Sequence, residues 1–329
     1  MKKFILLLIM AALQVHCLFG QSSTDKIKGI SLESPPIELN AEDFHTLSST
    51  NANWMAVIPY GFSFSDNPTV YFNSERQWWG ERLEGASRMV NLAKKNGYKV
   101  MMKPQVWIPR DWVGNYGLDT EEEWEEWEES YKEFVITFAR CADSLEVEIF
   151  CLGTEFKIAT DKRPGYWLNL IDSVRSVYRG KITYAANWDE YQNINFWDKL
   201  DFIGVDAYFP LTDKNTPDIS ELLHAWVPHK LKMKALSDSL GIPLLLTEFG
   251  YRSVNGAAGK QWELSEMPLN LEVQRRAYIA LFESLWGESW IRGGFVWKWQ
   301  FNEGAGGRED RRYTPQGKPA MDLLRKIYE

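Results

Sequence analysis

Histidine and cysteine are scarce in this chain, 4 and 3 among 329 residues. That leaves little material for a zinc cluster or a disulfide framework, and neither a metal nor a cofactor is expected. Basic residues are in deficit, 37 Lys and Arg against 45 Asp and Glu, for a formal charge of −8. Proteins that grip phosphate backbones normally carry the opposite balance, so nucleic acid is not an expected partner. The apolar run from Phe4 to Leu13 is shorter than the roughly 20 residues a spanning helix needs. No Gly/Ser/Pro linker or low-complexity tract interrupts residues 25–329, which argues for one domain although length alone would allow two. A Gly-rich dinucleotide turn is also missing. The first apolar run leads into Gly29-Ile30-Ser31-Leu32-Glu33-Ser34-Pro35, with no G-x-G-x-x-G.

Aromatic residues, by contrast, are abundant: 16 Trp, 14 Tyr and 17 Phe. That is more indole than a core of this size needs. At the N-terminus, Lys2 and Lys3, the short apolar run and the small and polar residues up to Gly20-Gln21 read as a secretory signal peptide over 1–20, leaving 21–329 as the mature chain. Export to the periplasm or the extracellular space is the expectation, with no spanning segment after cleavage. Lipid anchoring through Cys17 is the lesser alternative, since His16 stands where a small residue is expected. Cys141 and Cys151 are expected to be isolated buried thiols, and the protein a monomer.

Short apolar, β-branched runs recur at about 26–31, 54–59, 98–106, 146–154, 181–187, 201–208, 243–249 and 292–299, with helical patterns between most of them. Thr120 and Glu123 form a capping-box pair, and Trp124, Trp127, Tyr131, Phe134 and Phe138 follow at helical spacing. This acidic, aromatic helix reads as a packed stripe with solvated glutamates rather than a binding surface. Further helices are expected over 166–179, over 229–240 ending at Gly241, and over 270–286 capped by Asn270. The segment from Pro59 to Trp79 reads equally as a binding loop or a packed one. Eight strand–helix units point to a single α/β domain, a (β/α)8 TIM barrel.

In such barrels chemistry sits at the C-terminal strand ends. There the sequence places Lys103, Gln105 and Trp107 (third strand), Glu155 (fourth), Asn187-Trp188 (fifth), Asp206 and Tyr208 (sixth), Glu248 (seventh), and Trp297 and Trp299 (eighth). Glu155 and Glu248 are each the first acid after a buried run, where an ionised carboxylate needs a partner or a task. Two carboxylates facing one groove suit glycoside hydrolysis, one as acid/base and one as nucleophile, about 5–5.5 Å apart for retention. Trp107, Trp188, Trp297 and Trp299 would offer flat faces to sugar rings. Lys103 would keep a carboxylate ionised, and Asp206 would serve as an orienting partner. A non-catalytic carbohydrate-binding barrel and a transglycosidase are the competing readings.

Several motifs in order resemble glycoside hydrolase family 113: Phe150-Cys151-Leu152-Gly153-Thr154-Glu155, Thr183-Tyr184-Ala185-Ala186-Asn187-Trp188, Phe196-Trp197-Asp198-Lys199-Leu200-Asp201, Gly204-Val205-Asp206-Ala207-Tyr208-Phe209-Pro210-Leu211, Thr247-Glu248-Phe249-Gly250-Tyr251-Arg252-Ser253 and Phe295-Val296-Trp297-Lys298-Trp299. The resemblance runs from about Lys28 to about Trp299. It implies a retaining endo-β-1,4-mannanase acting on mannan or glucomannan, with Glu155 as acid/base and Glu248 as nucleophile. It puts Tyr208 near the nucleophile and Asn187, Trp188, Lys103 and Trp297 around the sugar. Most members of the wider clan carry Asn just before the acid/base. Thr154 stands there instead, so another donor, such as Asn187, would serve the sugar 2-hydroxyl.

Overall fold

The computed structural model describes residues 26–329 apart from Ser65, Asp66, Ser265 and Glu303; the signal-peptide and Cys17 readings lie outside these residues. Eight parallel strands close a barrel: β1 (Ile27–Leu32), β2 (Trp54–Val57), β5 (Lys99–Met102), β7 (Ile149–Thr154), β8 (Lys181–Asn187), β9 (Ile203–Asp206), β10 (Leu244–Phe249) and β11 (Ile291–Trp299). Each of the eight expected runs contributes one of them. Parallel strands covered on both faces read as unbroken apolar runs; β7 and β10 are buried at all six positions. Ile27, Trp54, Ala56, Met101, Ile149, Cys151, Ala185, Phe202, Leu245 and Phe295 fill the barrel interior. Outward-facing neighbours such as Phe150, Leu152, Leu244 and Leu246 join the larger core under the helices.

One expected strand divides. The run over 98–106 enters the barrel only as β5. After Lys103 and Pro104 it continues as β6 (Gln105–Trp107), which pairs with β3 (Tyr60–Phe64) in a second sheet completed by β4 (Asn67–Phe72). The Pro59–Trp79 segment is therefore largely a strand pair packed on one side, with Phe64, Tyr71 and Trp78 exposed on the other. Phe72 meets Phe134 at 5.3 Å and Val70 is buried. Its contribution to the cleft described below is Tyr60.

The helices are α1 (Ala41–Ser48), α2 (Leu83–Lys95), α3 (Glu121–Ser144), α4 (Lys157–Lys162), α5 (Pro164–Arg175), α6 (Ile219–Leu240), α7 (Leu271–Leu281) and α8 (Pro319–Tyr328). The Thr120–Glu123 capping box opens α3, whose Trp124, Trp127, Tyr131, Phe134 and Phe138 face inward. Trp127 stacks on Tyr131 at 4.9 Å. Helix α5 begins two residues before the expected 166 and stops at Arg175. Helix α6 begins ten residues before the expected 229, with an Asp218–Glu221 capping box and Pro228 inside it, and ends at Gly241 with φ 66°. Asn270 caps α7, which continues as one wider turn over Phe282–Trp286. No helix among the described residues is long and apolar enough to cross a membrane. Cys141 and Cys151 are not bonded to each other; Cys151 is buried, whereas Cys141 is only partly buried.

Three barrel strands carry one more residue than their neighbour near the C-terminal end. On β7, Cys151 pairs with Thr183 and Thr154 with Ala185. On β10, Leu246 pairs with Val205 and Glu248 with Asp206. On β11, Val296 pairs with Ile30 and Trp299 with Leu32. A surplus residue flips every later side chain to the other face of the sheet.

Candidate active site

These surpluses decide what points into the mouth. From Leu245 in the barrel interior, strict alternation would turn Thr247 inward and Glu248 out. The surplus on β10 brings both to the inner side, where Thr247 Oγ1 donates to Asp206 Oδ1 at 2.7 Å. On β11, plain two-residue spacing would put Trp297 and Trp299 on one face. The surplus separates them: Trp297 lines the cleft, whereas Trp299 is buried in the outer core. Trp299 is thus corrected from a substrate-binding candidate to a packing residue.

The cleft holds about 770 Å³ and is lined by Glu155, Glu248, Asn187, Trp188, Asp206, Tyr208 and Trp297 from the strand ends. Lys103, fully buried beneath them, donates to Glu248 Oε1 at 2.5 Å and to both Asp206 oxygens at 3.1 Å. Gln105 Nε2 donates to the same Glu248 oxygen at 2.7 Å, and Tyr208 Oη donates to Glu248 Oε2 at 2.7 Å. Asn187 Nδ2 donates to Asp189 Oδ1 at 3.0 Å, and Trp188 stacks on Trp262 at 6.1 Å. Trp107 is exposed along one wall.

Glu155 has different surroundings. It follows β7 in the left-handed region, φ 56°, a conformation costing a non-glycine residue about 1–2 kcal/mol. Among the described residues one neutral donor reaches its carboxyl: Trp112 Nε1, to Oε2 at 2.6 Å. Burial raises the Glu155 carboxyl well above the ordinary range, and the charges of Asp206 and Glu248 push the same way. Asp206 is lifted to about 7 by burial and by Glu248, against the pull of Lys103 and Thr247. Burial alone would lower the Lys103 ammonium, but Asp206 and Glu248 more than reverse this and hold it above its ordinary value. Lys103 touches Asp206 and Glu248 but not Glu155, so nothing offsets the burial that favours a proton on Glu155 except the Trp112 donor and the more distant Lys103 charge.

Strand ends alone did not point to Trp112, Trp262 and Tyr313, and Gln105 was visible at a strand end without being singled out. Tyr313 lies in the loop between β11 and α8, lines the cleft and packs edge-on against Tyr208 at 6.0 Å. These loops carry no periodic signal; an isolated Trp between turns, as in Asp111-Trp112, was the available hint. Trp112→Phe removes the indole donor that favours the ionised Glu155, so the Glu155 pKa is expected to rise. The alkaline limb of kcat/KM then moves to higher pH, and an unmoved or lowered limb would refute the link between Trp112 and that limb.

The sequence profile of Glycoside Hydrolase Family 113 matches residues 38–318. No curated protein sequence matches significantly. Among solved structures, a family 113 β-1,4-mannanase determined as a complex is 25% identical, with a TM-score of 0.81, covering 93% of this chain and 99% of its own. A family 113 β-mannanase from Alicyclobacillus acidocaldarius is similar in fold, at 24% identity and TM-score 0.82, covering 93% and 98%. A β-glucuronidase from Ruminococcus gnavus shares the barrel more distantly, at 17% identity and TM-score 0.65, with 92% of this chain aligned to 50% of that one.

Proposed function

This chain belongs to Glycoside Hydrolase Family 113 and is a glycoside hydrolase, and from that premise we propose that it cleaves β-1,4-mannosidic linkages in mannan or glucomannan with retention. One observation carries the reading: two buried glutamates line the same cleft in opposite electrostatic settings. Glu248 is held by three donors, one of them a cation. Glu155 is held by one neutral donor and is pushed toward its protonated form. That asymmetry suits a nucleophile and an acid/base.

Glu155 donates its proton to the glycosidic oxygen while a Glu248 oxygen attacks the anomeric carbon. Oε2, with one donor against two on Oε1, has the less committed lone pairs. The leaving sugar departs with the proton, and a glycosyl–Glu248 ester remains. Glu155, now a carboxylate, takes a proton from water as that water attacks the same carbon, which frees Glu248 and restores the acid. Lys103 and Gln105 stabilise Glu248 as it leaves. Trp107, Trp188, Trp262 and Trp297 supply faces for the flanking sugars. The name of the 25%-identical relative, a β-1,4-mannanase, supports the choice of mannan. Export of the mature barrel is part of the proposal, on the strength of Lys2-Lys3 and the apolar run after them.

The test is digestion of mannan, glucomannan, xylan and β-glucan, followed by anomer-resolved NMR. Products are expected from the two mannans, with the β-anomer appearing first. Release from xylan or β-glucan alone would overturn the substrate, and a first-formed α-anomer would overturn retention.

A further inference from the structure

The chain reverses sharply just where Glu155 enters the cleft. Glu155 donates its backbone N–H to Ala185 O at 2.8 Å. Phe156 follows at φ −77° and ψ 60°, and Lys157 N–H closes a three-residue turn on Glu155 O at 2.8 Å. This is inverse γ-turn geometry. It leaves the Phe156 N–H pointing out of the turn, beside a ring that is 1% exposed and packed among Trp127, Tyr131 and Trp167. A backbone donor there has no water to turn to and needs a protein acceptor.

That acceptor is a side chain from the next strand. Phe156 N–H donates to Tyr184 Oη at 2.8 Å, and Tyr184 Oη donates to Glu190 Oε1 at 3.0 Å. Both Tyr184 and Glu190 are buried. A phenol has one proton; given to Glu190, it leaves the oxygen's lone pairs facing Phe156. Glu190 is itself fixed by its backbone N–H to Asn187 O at 3.0 Å, in the turn that carries Asn187 and Trp188. Its other oxygen has no partner among the described residues, and burial raises its carboxyl to about 8. A neutral carboxyl there is an acceptor for Tyr184 rather than an ion awaiting a countercharge.

We infer that Tyr184 and Glu190 are positioning residues for proton donation: they clamp the Phe156 amide, which holds Glu155 in its left-handed conformation with its carboxyl aimed at the leaving-group oxygen. The inference rests on the reading of Glu155 as acid/base. It predicts that in kcat/KM, which reports only the steps up to the glycosyl–enzyme, the damage falls on substrates whose leaving group needs an acid. Phenyl and 2,4-dinitrophenyl β-mannobiosides separate the two situations, because the dinitrophenolate leaves unprotonated and the phenolate does not.

For Tyr184→Phe, kcat/KM on the phenyl substrate is expected to fall by about 10- to 100-fold, the scale of an ångström-level misplacement, with the dinitrophenyl value little changed. Glu190→Met is expected to show the same leaving-group dependence in weaker form. Glu190→Gln, which keeps an acceptor at Oε1, is expected to recover most of it. Equal losses on both substrates, or none, would overturn the clamp. Glu155→Gln is the reference. If its kcat/KM falls equally on both substrates, the acid/base assignment fails and the clamp with it. If it shows the leaving-group signature while Tyr184→Phe does not, only the clamp fails.

Discussion

Glu248→Gln is expected to lower turnover of mannan by at least about four orders of magnitude, the scale seen when a catalytic nucleophile is removed, while oligosaccharide affinity stays close to that of the parent. The amide is nearly isosteric and keeps a carbonyl oxygen for Lys103 or Gln105. It cannot form the glycosyl ester. Loss of the charge also removes one of the influences that raise the Glu155 carboxyl and Asp206, so both are expected to titrate lower in the variant. Lys103 retains Asp206 as a countercharge, and the fold is not expected to lose stability. Product analysis and calorimetry with a mannooligosaccharide check both halves. A variant that still releases products at the parental rate would reject Glu248 as nucleophile. A parent that binds without turnover would favour the non-catalytic carbohydrate-binding barrel.

Lys103→Met carries the largest expected cost in stability. The side chain is fully buried and is the cation shared by Asp206 and Glu248. Breaking a buried ion pair from one side typically costs about 3–5 kcal/mol, which for a chain of this size lowers Tm by roughly 5–8 °C. The loss depends on pH, and its sign follows from Asp206. Its folded carboxyl sits at about 7 against an ordinary 3.8. A group raised in this way stabilises the fold fully below about pH 4, and that contribution is lost as the pH climbs toward 7. Without Lys103 the carboxyl rises further and the window widens upward. The Tm difference between parent and variant is therefore expected to be larger at pH 8 than at pH 5. A difference that is uniform across pH, or larger in acid, would contradict the shared-cation account. Turnover is expected to fall by at least about 100-fold, as for loss of a preorganised electrostatic partner.

The barrel was legible in the sequence because parallel strands packed on both faces leave continuous apolar runs, and all eight were marked that way. Thr120, Asn270 and Gly241 marked helix ends because capping is local chemistry. Pro104 and Pro228 show where local reading stops. The first divides one expected strand between two sheets, and the second lies inside a helix expected to begin after it. The carboxylates of the cleft were visible because each is the first acid after a buried run. Trp112, Trp262 and Tyr313 were not, because they arrive from loops whose course depends on tertiary packing. Trp299 was misplaced for a third reason: side-chain alternation is a rule of regular ladders, and β11 is irregular just there.

That irregularity bears on how such a cleft changes over time. Substituting Glu248 or Trp297 alters what a position offers but not where it points. Removing Thr247, or one of the two residues between Val296 and Trp299, would restore a regular ladder, take one side chain from these strand ends, and leave everything beyond it facing as it does now. The indole of Trp299 would stay in the outer core opposite Leu32, and Glu248 would stay in the cleft opposite Asp206. A single extra residue at each of these strand ends is therefore how the mouth gains a side chain, Thr247 beneath Asp206 on β10 and Trp297 with Lys298 along the wall on β11, while the barrel beneath them stays as it is.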